Sequence, residues 1–232
     1  MKIPSAFRPN KELEANIEDL ISDDSIREKS LRAIINGYSY FLEGMKYNRN
    51  NTARYLLGLS IAKDIKYTSK GIGLFAEQLD KDATQSSGFY ISALVNNIIK
   101  EDETITLNLN AVLSGLGAYL RKGCLEINGN FLNNTGYFMQ GGCLHIYGNG
   151  LNTTGAEMKE GIIVIKGNLN NITGYMMKGG EIKVYGNVRE DIGLRMSGGT
   201  IRINGGIENF SSNCNGNIYH NGRKIWPKDE IA

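Results

Sequence analysis

Apolar and polar residues alternate in five short segments in the second half of the chain. The first segment is Leu125-Glu126-Ile127-Asn128, the last is Ile201-Arg202-Ile203-Asn204, and neighbouring segments lie 19 residues apart. Alternation with a period of two is typical of a β-strand that buries one face. The pattern therefore predicts five short strands, one in each copy of a repeated unit.

Glycine occupies three positions of this unit, and each position recurs with the same 19-residue step. The three columns are Gly117, Gly136, Gly155, Gly174 and Gly193; Gly123, Gly142, Gly161, Gly180 and Gly199; and Gly129, Gly148, Gly167, Gly186 and Gly205. Glycine suits corners because it adopts positive φ and lets backbones approach closely. Three short sides joined by three corners predict a triangular rung, and stacked rungs bury a continuous apolar column. We therefore predict a right-handed parallel β-helix, with regular 19-residue rungs over about residues 115–210.

Two further columns are expected to line the interior and one corner of this β-helix. The interior column, read as flexible core filler, consists of Leu120, Met139, Met158, Met177 and Met196. The corner column consists of Asn130, Asn149, Asn168 and Asn187. We expect the asparagines to form a ladder of side-chain amides. The remaining side is apolar at Phe131 and Leu169 but carries Gly150 between them.

The first hundred residues instead carry apolar residues at helical spacing and only 6 of the 29 glycines. The spacing predicts five helices, over residues 10–21, 26–45, 52–65, 72–79 and 89–100, with Thr52 as the cap of the third. We therefore divide the chain into an all-helical domain, 1–100, and a β-helix domain, 101–232. An open first rung exposes unpaired strand edges, so the fifth helix is expected to cover it. Trp226 is expected in a plug at the other end.

The repeated pattern Gly-x-x-Met-x-x-Gly-x-Ile-x-Ile-x-Gly, seen at residues 174–186, resembles that of a known family. It is similar to the GXGXG-repeat β-helix found in the C-terminal domain of the large glutamate synthase polypeptide and in one of the subunits of formylmethanofuran dehydrogenase. The resemblance covers about residues 115–222. It implies a structural element that supports catalytic partners, and it carries over no catalytic residue and no cofactor. Lys122 and Glu160 depart from the motif, where they replace the first glycine of a Gly-Gly pair.

Composition narrows the classes of partner. The formal net charge is +2, and the charges are spread evenly, with 14 basic and 12 acidic residues in the first hundred. No basic domain is present to attract nucleic acid. No apolar run approaches a membrane span, and the three cysteines are irregularly spaced, which does not suggest a disulfide framework or a CxxC zinc motif. These observations predict a cytoplasmic protein.

One outward patch carries residues of possible chemical use. Cys124 and Cys143 are one repeat apart, as are Glu126 and His145, so all four side chains are expected on the outer face of the first side. Two thiols, an imidazole and a carboxylate form a donor set that suits Zn²⁺. The competing interpretation is that two small cysteines lie beneath a helix or a partner. The charged residues of the last rungs, including Arg189, are expected to form a solvated surface rather than a paired-acid site.

The sequence therefore favours a non-catalytic scaffold that supports a protein partner or forms a homo-oligomer. If it belongs to an enzyme, the expected role is a non-catalytic subunit of an oxidoreductase complex. Tyr119, Phe138, Tyr147 and Tyr185 are expected to point outward and to serve such contacts. The alternative is an enzyme or metal-binding protein with a site in the cleft between the helical domain and the β-helix.

Overall fold

The computed structural model describes residues 26–48, 50–211 and 213–227, and for residues 26 and 27 the backbone alone. Within these residues, four helices precede a β-solenoid of about six turns built from parallel strands. This confirms the predicted α+β organisation with a β-helix. The helix predicted over residues 10–21 lies outside the described residues.

The four helices occupy the segments expected from their apolar spacing. They are α1 (Ile26–Met45), α2 (Asn51–Asp64), α3 (Ser69–Gln78) and α4 (Ser87–Ile98). The predicted cap of α2 was wrong. Asn50, not Thr52, precedes the helix, and its side-chain oxygen accepts a hydrogen bond from the Ala53 amide at 2.7 Å.

Aromatic rings fill the centre of the helical region. The rings of Phe41 and Tyr90 stack with centroids 5.2 Å apart, and the edge of Phe75 meets the ring of Tyr38 at 5.0 Å. The buried hydroxyl of Tyr90 donates to the Ile34 carbonyl at 2.9 Å, so this ring packs without leaving a polar group unpaired. Helix α4 is buried along nearly its whole length, since it lies between the other helices and the solenoid.

The solenoid begins with β1 (Thr104–Asn108), and three helices contact its first turn. On α4, the Ser92 hydroxyl donates to the Gly115 carbonyl at 2.8 Å, and the Asn96 amide donates to the Ala118 carbonyl at 2.9 Å. On α3, the Glu77 carboxylate accepts from the Asn108 side chain at 2.9 Å. Helix α2 also reaches this turn, where its Thr52 hydroxyl lies 2.7 Å from that of Tyr119. The first turn is therefore contacted by three helices, whereas the sequence suggested one.

The strands form two sheets, one of eight strands and one of three, in which every strand pairing but the last is parallel. The larger sheet has the order β1-β2-β3-β5-β7-β9-β10-β11, and the smaller has the order β4-β6-β8. The strands after β1 are β2 (Cys124–Asn128), β3 (Gln140–Tyr147), β4 (Gly150–Thr154), β5 (Glu160–Ile165), β6 (Leu169–Thr173), β7 (Glu181–Val184), β8 (Val188–Glu190), β9 (Thr200–Ile203), β10 (Asn217–His220) and β11 (Arg223–Trp226). From β2 to β9, paired residues are 19 positions apart in sequence, as Leu125 and Leu144 are, except at a register shift where Gln140 pairs with Glu160, 20 positions away.

The glycine columns allow the rungs to approach closely. Gly161 has φ +91°, and a Cβ atom there would lie 2.6 Å from the Gly142 carbonyl oxygen of the preceding turn. The predicted interior column from Leu120 to Met196 is buried, with each side chain at most 1% exposed. The repeat thus uses glycine for backbone contacts and methionine for filling.

Gly150, the exception in the apolar column, is explained by its neighbours. The ring of Phe131 occupies the space where a Gly150 side chain would lie, and Leu169 closes it from the other side, with Cδ2 2.8 Å from the position of an added Cβ. One large side chain therefore fills the volume of two positions, because protein interiors are close-packed.

The asparagine column forms a ladder at the corner, as predicted. Each side-chain oxygen accepts from a backbone amide of the next turn at 2.8 Å, as Asn149 Oδ1 does from Asn168 N. The last bond runs from Gly206 N to Asn187 Oδ1 at 2.7 Å. Side-chain amides therefore do not bond to one another here, because the nearer donor is the main-chain N–H at the corner.

The solenoid ends in a hairpin. β10 pairs with β9 in parallel, and β11 then turns back to pair antiparallel with β10. Trp226, expected in a plug, lies at the end of β11, where its indole N–H donates to the Cys214 carbonyl at 2.6 Å.

Candidate functional site

Neighbouring strands bring the four candidate residues together on one outer face. In the β2–β3 pairing, Cys124 lies opposite Cys143 and Glu126 lies opposite His145. Leu125 alternates with them and is fully buried. All four side chains are partly exposed, as the period-two pattern requires.

The two cysteines form a disulfide, which the irregular spacing of the three cysteines did not suggest. Cys124 and Cys143 are joined across adjacent strands with their Cα atoms 4.6 Å apart. The signal was present in the sequence, because a separation of one repeat places two side chains side by side in register. Disulfides persist in oxidising compartments and are rare in the cytosol. The disulfide therefore does not support the cytoplasmic location, which stays a prediction. Cys214 is buried and unpaired.

An imidazole and a carboxylate lie next to the disulfide. His145 Nδ1 is 3.9 Å from Glu126 Oε1, and their side chains are 35% and 32% exposed. One possible ligand atom from each of Cys124, Cys143 and His145 falls within 4.8 Å of the others. Glu126 belongs to the same face but outside this closest group, and its other oxygen accepts from Thr106 at 3.4 Å.

An open cavity of about 350 Å³ borders the disulfide. The loop before β1 lines it with Glu101, Asp102 and Glu103, and the segment before β2 lines it with Arg121 and Lys122. The cavity gives solvent and small ions access to the two sulfur atoms. Its walls carry both signs of charge, so neither cations nor anions are excluded.

A second cavity, of about 620 Å³, lies where α2 meets the solenoid. It is lined by Asn50, Asn51, Thr52, Ala53, Leu56 and Tyr137. Two of its polar side chains already have partners, since Asn50 caps α2 and the Thr52 hydroxyl lies 2.7 Å from that of Tyr119. Leu56 is 55% exposed at its rim.

Tyr119 was expected to point outward and serve contacts with a partner, but its outward ring is covered by α2. Its ring stacks on Tyr55 of α2 with centroids 4.4 Å apart, so that only 9% of it remains exposed. Burial raises the pKa of the Tyr119 hydroxyl, while the bond to Thr52 opposes the shift. Phe138 lies beside it at 5.1 Å and is half-buried. These rings serve to attach the helices to the solenoid.

The other two predicted outward aromatics are exposed. Tyr147 and Tyr185 are 49% and 48% exposed, and the strand register places Lys166 of the intervening turn between them. The ammonium group of Lys166 lies 3.5 Å from the centroid of the Tyr185 ring. We call Tyr147, Lys166 and Tyr185 the aromatic patch; it lies on the outer face at the carboxyl ends of β3, β5 and β7.

The charged residues of the last rungs pair with one another. Arg189 Nε lies 3.3 Å from Glu208 Oε1, and Arg202 Nε lies 2.6 Å from Glu181 Oε1. Burial opposes ionisation of Glu181, but hydrogen bonds from Lys183 and Arg202 outweigh it and lower the pKa of the Glu181 carboxyl. His220 contacts the Gly205 carbonyl at 2.9 Å. This end is a mixed-charge surface, as expected.

Comparison of the chain with protein-family models, with curated proteins and with solved structures finds no match. None of the helices in the described part of the chain is long and apolar enough to cross a lipid bilayer. Fold and site together define a protein in which helices precede a β-solenoid, and the solenoid carries a disulfide and a histidine on its outer face.

Proposed function

We propose that this protein is a non-catalytic scaffold whose solenoid presents a rigid face to another protein surface, as the resemblance to the glutamate synthase and formylmethanofuran dehydrogenase β-helices implies. The observation that carries the proposal is the aromatic patch. Tyrosine is enriched at protein interfaces, where it supplies a large contact area together with a polar hydroxyl.

The position of the patch supports this role. Its three side chains stand on neighbouring strands in a continuous parallel ladder, so their spacing is set by the backbone. Tyr147 and Tyr185 are two strands apart, or roughly 10 Å in the hydrogen-bonding direction. A partner would meet a flat surface that loses little conformational freedom on binding.

The finer architecture belongs to the same proposal. We infer a three-sided, right-handed coil. Three glycine columns, two sheets and the buried methionine column support three sides, and the strong right-handed preference of parallel crossover connections supports the hand.

The test begins with the native mass of the full chain, measured by light scattering, beside a Tyr147→Ser/Tyr185→Ser variant. Self-assembly predicts an oligomer for the natural chain and a monomer for the variant. A monomeric natural chain would move the test to benzoylphenylalanine at position 185 in the source cells, with position 47 as control, since Tyr47 is also exposed, at 81%, but lies outside the patch. A monomer with no crosslink specific to position 185 would contradict the proposal.

A binding site in the 620 Å³ cavity at α2 is the second candidate. Its size and its place between helices and solenoid favour it, as small-molecule sites often lie at such junctions. The engagement of Asn50 and Thr52 within the protein counts against it. Replacing Leu56 with Arg would fill the rim, and any ligand retained by the natural chain in native mass spectrometry should then be lost.

A further inference from the structure

The outer face of β2 and β3 carries a redox-active pair next to a metal ligand. The disulfide is accessible through the 350 Å³ cavity, and His145 stands two residues from Cys143 on the same face. A disulfide alone has a sufficient structural explanation. That structural role does not explain why an imidazole lies within reach of both sulfurs.

We propose that reduction of the Cys124–Cys143 disulfide converts this face into a Zn²⁺ site formed by the two thiolates and the His145 imidazole. In the disulfide the sulfurs are bonded to each other and cannot act as thiolate ligands. The oxidised and the metal-bound forms are therefore mutually exclusive, and the site is a switch between a covalent and a metal crosslink of two rungs.

The chemistry balances with a dithiol as the reductant. The dithiol supplies two electrons and two protons and becomes a disulfide, while the Cys124–Cys143 bond breaks to give two thiols. Zn²⁺ then displaces both thiol protons to solvent and binds the thiolates, which is why such binding releases protons.

The backbone geometry suits this exchange. Tetrahedral Zn²⁺ with Zn–S near 2.3 Å and Zn–N near 2.0 Å places its ligand atoms about 3.5 to 3.8 Å apart. The possible ligand atoms of Cys124, Cys143 and His145 lie within 4.8 Å of one another, and the cysteine Cα atoms are 4.6 Å apart. Rotation of the cysteine side chains can therefore open the pair while the strand ladder remains intact.

The surroundings supply the rest of a three-residue site. If the imidazole binds through Nε2, its Nδ1–H faces Glu126, 3.9 Å away, and a carboxylate in that position orients a metal-bound histidine. Glu126 is thus a positioning residue. The adjoining cavity leaves room for water as the fourth ligand.

The test titrates the full chain with Co²⁺ and then Zn²⁺, once as the disulfide and once after phosphine reduction and anaerobic removal of the reductant. We expect the reduced chain to bind one Co²⁺ with the visible bands of a tetrahedral site and a thiolate charge-transfer band, and Zn²⁺ to bleach both. The oxidised chain should show neither band and bind at least ~100-fold more weakly, since even the loss of a residue that only orients a ligand costs 10–100-fold.

The matched controls are the chain's other histidine and its third cysteine. His145→Ala should weaken binding by at least ~10-fold and change the d–d bands, whereas His220→Ala and Cys214→Ser should leave both unchanged. Far-ultraviolet circular dichroism would verify that each variant is folded. Absence of binding by the reduced chain, or binding that His145→Ala does not alter, would overturn the proposal.

Discussion

Replacement of Gly161 by alanine tests whether close backbone contact is what the repeat requires of glycine. Two costs are expected. The residue has φ +91°, and a non-glycine residue in a left-handed conformation costs about 1–2 kcal/mol. In addition, the new Cβ would lie 2.6 Å from the Gly142 carbonyl oxygen and 2.7 Å from that of Gly141. Both atoms belong to the backbone of the preceding turn and cannot move without weakening the ladder.

Two other glycines separate these costs. Gly222 has φ +79° with no atom within 4 Å of an added Cβ, so Gly222→Ala should show the conformational cost alone, about 1–2 kcal/mol. Gly73 lies inside α3, where the nearest atom to an added Cβ is the Thr106 carbonyl oxygen at 3.8 Å. Gly73→Ala should therefore stabilise the protein, by about 0.4–1 kcal/mol.

Urea denaturation followed by circular dichroism would measure all three variants. We expect Gly161→Ala to lose about 2–5 kcal/mol, the sum of a conformational cost of about 1–2 kcal/mol and an overpacking cost of about 1–3 kcal/mol. If Gly161→Ala were no more damaging than Gly222→Ala, the contact between turns would not be the reason for this glycine column.

Three further predictions concern the corner ladder, the interior and a buried tyrosine. Asn168→Ala removes the acceptor for the Asn187 amide and should cost about 0.5–1.5 kcal/mol in the same assay. Gly150→Ala should destabilise the natural chain but do less harm after Phe131→Ala, which empties the space, giving a coupling of about 0.5–3 kcal/mol in a double-mutant cycle; additive effects would contradict the shared volume. Burial raises the pKa of Tyr67 to about 12, although a hydrogen bond from Asn97 opposes the shift. The unfolded tyrosine loses its proton near pH 10, so stability should fall as pH rises from about 10 to 12, and Tyr67→Phe should flatten that fall in urea denaturation across this range.

The sequence predicted the solenoid well because every position of the repeat is sampled five times. Leu120 to Met196 show one requirement in five copies, so a single odd residue does not hide it. The burial of Tyr119 was not predictable in this way, since it depends on Tyr55 from α2, a contact made once between segments distant in sequence. The cap of α2 was missed for a different reason. Asn50 and Thr52 lie close together in the chain, and both residue types suit a helix cap.

The candidate site, too, was predicted only in part from the repeat. The repeat placed Cys124, Cys143, Glu126 and His145 on one face, as the register of β2 and β3 has them. It did not distinguish two thiols from a disulfide, because both fit strands at this spacing. Whether the disulfide forms depends on the redox conditions around the protein, and these cannot be read from the 19-residue repeat.

The asparagine ladder also has a consequence for how this protein can change in length. Each main-chain N–H at the corner donates to the asparagine side chain one turn below. An insertion or deletion whose length is not a whole turn would therefore interrupt the ladder and misalign the glycines. Removing residues 161–179 would place Asn187 directly above Asn149 and Gly180 above Gly142, with every column restored. Within these regular rungs, a change in length by a step of 19 residues keeps every column aligned, and each step is worth roughly 4.8 Å of height.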